Sequence, residues 1–107
     1  MVITRGQNGR DYHVGAENPL KNIQLVRALC DLLDELYPEG RPGNAAGQAK
    51  PYASLISHVA DRPGHDRCYA LNTSRLREEL GWQPRIDFAV GLRNTVAWYL
   101  KHFQATA

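Results

Sequence analysis

The strongest constraint on this chain is the spacing of its apolar residues between Asn22 and Tyr37. Val26, Leu29, Cys30, Leu33, Leu36 and Tyr37 recur every three or four residues, which puts them on one face of an α-helix. Asn22 is the expected N-cap, because its side-chain oxygen can accept an orphan amide of the first turn. Pro38 and Gly40 stop the helix, since proline brings no amide and clashes with the preceding turn. A second stripe follows Asp87, the expected cap of a helix carrying Phe88, Leu92, Thr95, Val96, Tyr99, Leu100 and Phe103 on one side. Between them, Asn72 or Thr73 can open a short helix with Leu76 and Leu80 facing inward, and Gly81 is the expected left-handed residue that closes it.

The remaining segments read as strands and loops. Arg10–Val14, Leu55–Val59 and Arg67–Leu71 are short and β-prone, and turn signals separate them. The reading is therefore a single α+β domain over residues 1–107, mainly helical, with three helices and two or three short strands. Residues 39–53, rich in Gly, Pro, Ala and Asn, are expected to form a mobile loop. The aromatic residues Trp82, Phe88, Trp98 and Tyr99 are expected to pack rather than bind. A hydrophobic content of 43% and a charged content of 22% fit a soluble globular chain. No apolar run has the length of a membrane span, and the first residues lack the features of a secretory signal, so the expected location is cytoplasmic.

Net charge is only +2, too small to imply nucleic acid. Its placement is more informative. Between residues 61 and 77, Arg62, Arg67, Arg75 and Arg77 face only Asp61 and Asp66, so this window holds the whole excess and the rest of the chain is balanced. Arg62 and Arg67 can offer planar forks to phosphate oxygens, Gly64 lets a ligand approach the backbone, and His65 can donate to a phosphate or hydroxyl. The same residues also fit a surface turn in which aspartates pair with arginines. Two other patterns point to no site. Gly40-x-x-Gly43-x-x-x-Gly47 has glycines but follows a helix instead of a strand, unlike a dinucleotide fingerprint. His58, His65 and Cys68 lack zinc-ligand spacing and a fourth ligand, so no metal is expected.

The run Asp61-Arg-Pro-Gly-His-Asp-Arg-Cys-Tyr-Ala-Leu71 is followed by Leu76-Arg-Glu-Glu-Leu-Gly-Trp-Gln-Pro84 and by Phe88-x-x-Gly-Leu-Arg-x-Thr-Val-x-Trp-Tyr-Leu100. Upstream stand Tyr12-His-Val-Gly15, Lys21-Asn-Ile and Cys30-Asp-Leu-Leu-Asp-Glu35. Together these resemble the C-terminal region of dTDP-glucose 4,6-dehydratases, which are extended short-chain dehydrogenase/reductases. The resemblance runs from about Gly6 onward. It departs at the long Gly40–Pro51 loop and at Cys68, where the family usually has arginine. Sugar-nucleotide epimerases, the runner-up parent, fit the Asp61–Arg67 run less well.

The resemblance implies the C-terminal part of that fold without its Rossmann domain. It implies that Asp61, Arg62, Pro63, Gly64 and His65 contact the nucleotide sugar, together with Asn22 at the start of the long helix. It also implies a reaction in which bound NAD oxidises the sugar, water is eliminated and the hydride returns. No Tyr-x-x-x-Lys pair occurs in the chain, and no glycine fingerprint stands in strand–turn–helix context. The expectation is therefore a truncated dehydratase-like chain with no cofactor site and no catalytic residue of its own. It would bind a dTDP-sugar weakly and be inactive alone. The expected partners are further copies of itself, as a self-associating module, or a separately encoded cofactor-binding domain completed in trans. Neither nucleic acid nor membrane is expected as a partner.

Overall fold

The computed structural model describes residues 1–16, 18–66 and 70–104, with the side chain of Gln104 excepted. The chain is mainly helical. Four helices occur among the described residues: α1 (Val2–Arg5), α2 (Asn22–Leu36), α3 (Ser74–Leu80) and α4 (Phe88–Gln104). Short 3-10 turns cover Pro38–Gly40, Asn44–Ala46 and Tyr52–Leu55. The residues fall into two compact units, Met1–Pro19 with Asp66–Phe88, and Leu20–His65 with Ala89–Ala107. No helix of the described residues is long and apolar enough to cross a membrane.

The first unit is organised by α3. Leu76 and Leu80 are buried as their spacing predicts, and Thr73 is buried beside them at the N-cap position. The capping oxygen comes from Asn72, whose Oδ1 accepts the Ser74 amide at 3.0 Å. Gly81 closes the helix at φ +66°, its amide bonded to the Arg77 carbonyl at 2.9 Å. A residue with a Cβ is strained in that left-handed conformation, which explains the glycine. Trp82 comes next, half-buried, its amide reaching back to the Leu76 carbonyl at 3.4 Å.

The expected strands are absent among the described residues, and local bonding explains why. The Arg10–Val14 segment is held by side chains instead of a ladder. Arg10 Nη1 donates to Glu79 Oε1 at 2.7 Å, Tyr12 Oη donates to Glu79 Oε2 at 3.0 Å, and Arg75 Nη1 donates to the Asp11 carbonyl at 3.0 Å. With α3 lying along it, the segment has partners for its polar groups but no neighbouring strand. In the expected Leu55–Val59 strand, Leu55 ends a 3-10 turn and Val59 is 85% exposed, so no second apolar surface covers the run. The third, Arg67–Leu71, lies mostly outside the described residues. The short α1 has no counterpart in the sequence reading; its Val2 carbonyl accepts the Gly6 amide at 2.8 Å.

The second unit is built from α2 and α4. Helix α2 ends before Pro38 as predicted, but it begins one residue earlier than Asn22 capping requires. Asn22 is the first helical residue and Lys21 takes the cap position. The physical reason is Gln24, whose Oε1 accepts the Lys21 amide at 2.9 Å and so satisfies the entry without Asn22. Cys30 is buried as its stripe position predicts, and Val96 on α4 is buried likewise. The rest of the α4 stripe is less covered than expected: Tyr99 and Phe103 are mostly exposed. So is Trp98, whose ring meets Tyr99 edge-on at 5.0 Å instead of entering a core. An apolar groove of about 400 Å³ remains between Leu29 and Leu33 of α2 and Leu92, Tyr99 and Phe103 of α4.

Candidate functional site

Five of the six expected site residues sit in one turn of the second unit. The sequence Asp61-Arg-Pro-Gly-His65 needs a tight bend, and Pro63-Gly64 supplies it: Gly64 is at φ +73°, and a Cβ added there would meet only open space. The His65 amide donates to the Arg62 carbonyl at 3.3 Å, which closes the bend. Asp61 then ties the two ends together. Its Oδ1 accepts the Arg62 amide at 2.8 Å and lies 2.6 Å from His65 Nδ1. An ionised carboxylate can only accept, so His65 Nδ1 carries the proton in this contact.

The electrostatics of the turn stem from that contact. The hydrogen bond from His65 holds the Asp61 carboxyl below the usual carboxylate range, against the opposing effect of slight desolvation. The Arg62 amide and the charge of the ring act in the same direction as the bond. Arg62 itself is exposed, and His65 is half-buried. The turn thus presents one arginine and one oriented imidazole on an open surface.

Part of the chain between α2 and this turn is tied back to α2. Arg41 Nε donates to Asp34 Oδ1 at 2.7 Å and Arg41 Nη2 to the Asp34 carbonyl at 3.0 Å. Tyr52 Oη donates to the Tyr37 carbonyl at 3.0 Å, and burial pushes its phenol up from the ordinary tyrosine value. Gly40 lies between the Tyr37 ring and the Tyr52 hydroxyl, with no room for a Cβ. Residues 39–53, the expected loop, overlap three 3-10 turns and carry side-chain ties to α2.

Asn22, the sixth expected residue, stands in the same unit at the start of α2, exposed, and no hydrogen bond joins it to the turn among the described residues. The positive window of the sequence is divided. Arg62 belongs to the second unit and Arg75 and Arg77 to the first. Arg75 is occupied by the Asp11 carbonyl and lies 4.0 Å from Glu79. Arg67 lies outside the described residues. Gly43 and Gly47 flank the 3-10 turn Asn44–Ala46, both left-handed, and a Cβ on Gly43 would strike the Gln48 carbonyl at 2.5 Å. These glycines serve their own turn and open onto no long helix, so they do not fit a dinucleotide cradle. Among the described residues no three His, Cys, Asp or Glu side chains could hold a metal ion.

One open polar concavity has no signature in the sequence. It measures about 550 Å³ and is lined by Asp11, His13, Asn72, Arg75, Glu78 and Glu79 of the first unit. Its two sides come from distant parts of the chain, which no local motif reveals.

Comparison with known proteins shows what the whole chain is similar to. The chain is 44% identical over 104 residues to the dTDP-glucose 4,6-dehydratase of Salmonella typhimurium, a match covering 97% of this chain and 26% of that protein. It is 46% identical to the dTDP-glucose 4,6-dehydratase of Escherichia coli over 92% of this chain and 25% of that one. The corresponding figures for the Haemophilus influenzae dTDP-glucose 4,6-dehydratase are 44%, 94% and 28%. The chain matches the C-terminal part of dTDP-glucose 4,6-dehydratases. It spans about a quarter of the length of these dehydratases. No protein-family model matches it. Both helical stripes and the Asp61–His65 turn thus stand in a chain aligned almost end to end with dehydratase sequence.

Proposed function

We propose that this chain supplies the nucleotide-sugar-facing part of a dehydratase acting on dTDP-glucose, with Asn22, Asp61, Arg62, Pro63, Gly64 and His65 as the contact region. The observation that carries this reading is the exposed Asp61–His65 turn, held in shape by its own hydrogen bonds, in a chain 44% identical to a named dehydratase over 97% of its length. Arg62 offers a charge-assisted fork to a diphosphate, and the imidazole of His65 offers a second donor when protonated. The chain contributes no Tyr-x-x-x-Lys base and no cofactor cradle, so oxidation and water elimination depend on groups outside these 107 residues. NAD is then held by groups outside these 107 residues.

Isothermal titration with dTDP-glucose tests the reading. Weak, saturable heat that disappears in Arg62→Ala is expected, because the turn alone supplies only part of a pocket. A featureless trace at millimolar ligand would overturn it.

A second reading, a self-associating module, is favoured by the apolar surface the chain exposes. Tyr99 and Phe103, which line the apolar groove of the second unit, are 51% and 70% exposed, and exposed apolar patches favour association. Light scattering distinguishes the two: a clean 12.0 kDa monomer removes this second reading.

A further inference from the structure

Within the turn, Asp61 and His65 are both placed where a ligand could meet them, yet their geometry gives them different work. Asp61 Oδ1 is already engaged twice, by the Arg62 amide at 2.8 Å and by His65 Nδ1 at 2.6 Å. The second contact is at the short end of charge-assisted hydrogen bonds. It fixes the proton on Nδ1 and sets the plane of the ring, and with Nδ1 committed, Nε2 is the only ring nitrogen left for a ligand. The Asp61 carboxylate is also a negative charge beside a site proposed to hold an anion. Coulomb repulsion alone makes it unhelpful there.

We propose that Asp61 is a positioning residue, which acts through His65 by locking the imidazole with Nδ1–H inward, so that Nε2–H of the protonated ring points at the diphosphate of the ligand. The same oxygen accepts the Arg62 amide, a bond that the carboxamide oxygen of Asp61→Asn retains, so this variant isolates the link to His65. This rests on the nucleotide-sugar reading above, and it changes the part Asp61 plays in that reading from a contact to a support.

Two measurements on the full chain test it, one of them independent of any ligand. Long-range proton–nitrogen NMR reads the tautomer of each of the four histidines, with the His65 signals assigned by their loss in His65→Ala. In the neutral ring, Nδ1 protonated and Nε2 bare is expected, with a shift toward the Nε2–H form in Asp61→Asn. A predominant Nε2–H form in the unmodified chain overturns the proposal. The second measurement is titration with inorganic pyrophosphate of the unmodified chain, Asp61→Asn, His65→Ala and the double variant. Asp61→Asn is expected to bind about tenfold more weakly, roughly the worth of one well-aligned charged hydrogen bond. The same change is expected to cost nothing further once His65 is alanine. Tighter binding by Asp61→Asn, the sign charge alone predicts, overturns the proposal, as does an undiminished loss in the His65→Ala background. If the unmodified chain binds neither pyrophosphate nor dTDP-glucose, the nucleotide-sugar reading fails, and the ring tautomer alone decides the role of Asp61.

Discussion

Arg93 on α4 grips Glu35 near the end of α2 through two parallel hydrogen bonds, Nη1 to Oε2 at 2.7 Å and Nη2 to Oε1 at 2.6 Å. This fork-to-fork pairing gives the two helices of the second unit a specific polar link. The hydrogen bond from Arg93 holds the Glu35 carboxyl below its ordinary range, and Glu35 in turn raises the guanidinium. Arg93→Ala is expected to lower the melting temperature slightly and to raise the Glu35 titration midpoint, which carbon NMR of the carboxyl reads directly. Both partners are largely exposed, so high salt should shrink the difference in melting temperature between the two chains. A difference that persists unchanged in high salt would count against a screened surface pair.

The Asp61 carboxyl gives a pH prediction with a definite sign. Its folded-state pKa is lowered, first by the His65 hydrogen bond, so the charged form is favoured by folding. The stabilisation is therefore present above the unfolded carboxylate pKa and is lost as pH falls through the lowered folded value. His65→Ala removes the largest cause and should move the Asp61 midpoint upward, with less loss of stability on acidification. An unmoved Asp61 midpoint in that variant is the contrary result.

Leu76 is 2% exposed and sits at the centre of the first unit's small core. Leu76→Ala is expected to destabilise by about 2–5 kcal/mol, the range for a buried leucine whose cavity cannot fully collapse. Leu55→Ala is the matched control: Leu55 is 65% exposed, and its loss should fall within about 0.5 kcal/mol. Chemical denaturation of both variants measures the contrast.

Gly81 and Gly40 are required for different reasons, which substitution separates. At φ +66°, Gly81→Ala should cost about 1–2 kcal/mol from backbone strain alone, and Gly81→Asn less. Gly40 is required for space, because any Cβ runs into the Tyr37 ring and the Tyr52 hydroxyl. Gly40→Ala should break the Tyr52–Tyr37 hydrogen bond, lower the raised Tyr52 phenol pKa toward normal and cost about 1–3 kcal/mol as overpacking does. Ultraviolet titration of the tyrosines reads the first effect and thermal melts the second.

Helices α2, α3 and α4 are legible in the sequence because a three- to four-residue apolar period has one structural meaning, and Pro38 and Gly81 mark where two of them stop. The four residues of α1 are too few to show a period. The strands are not legible, because alternation in five residues, such as Arg10–Val14, cannot say whether a neighbouring strand exists. Here Glu79 and Arg75 take up the segment's polar groups, and both are more than sixty residues away. The cap of α2 misleads for a smaller reason: the Gln24 side chain takes the Lys21 amide and the Lys21 carbonyl takes the Gln24 and Leu25 amides, so the helix starts one residue before an Asn22 cap would place it. The Asp61–His65 turn is legible from Pro63-Gly64. The bond that orients His65 depends on a side-chain rotamer, which no spacing rule supplies.

Neither compact unit is contiguous in the chain, and this governs the order in which each can assemble during synthesis. Arg10 and Tyr12 leave the ribosome long before Glu79, so neither meets its partner until α3 has emerged. Glu35 waits in the same way for Arg93. The bonds that join the two parts of each unit can therefore form only after the segment between them has been translated, which leaves greasy residues such as Leu29 and Leu33 uncovered by α4 until then.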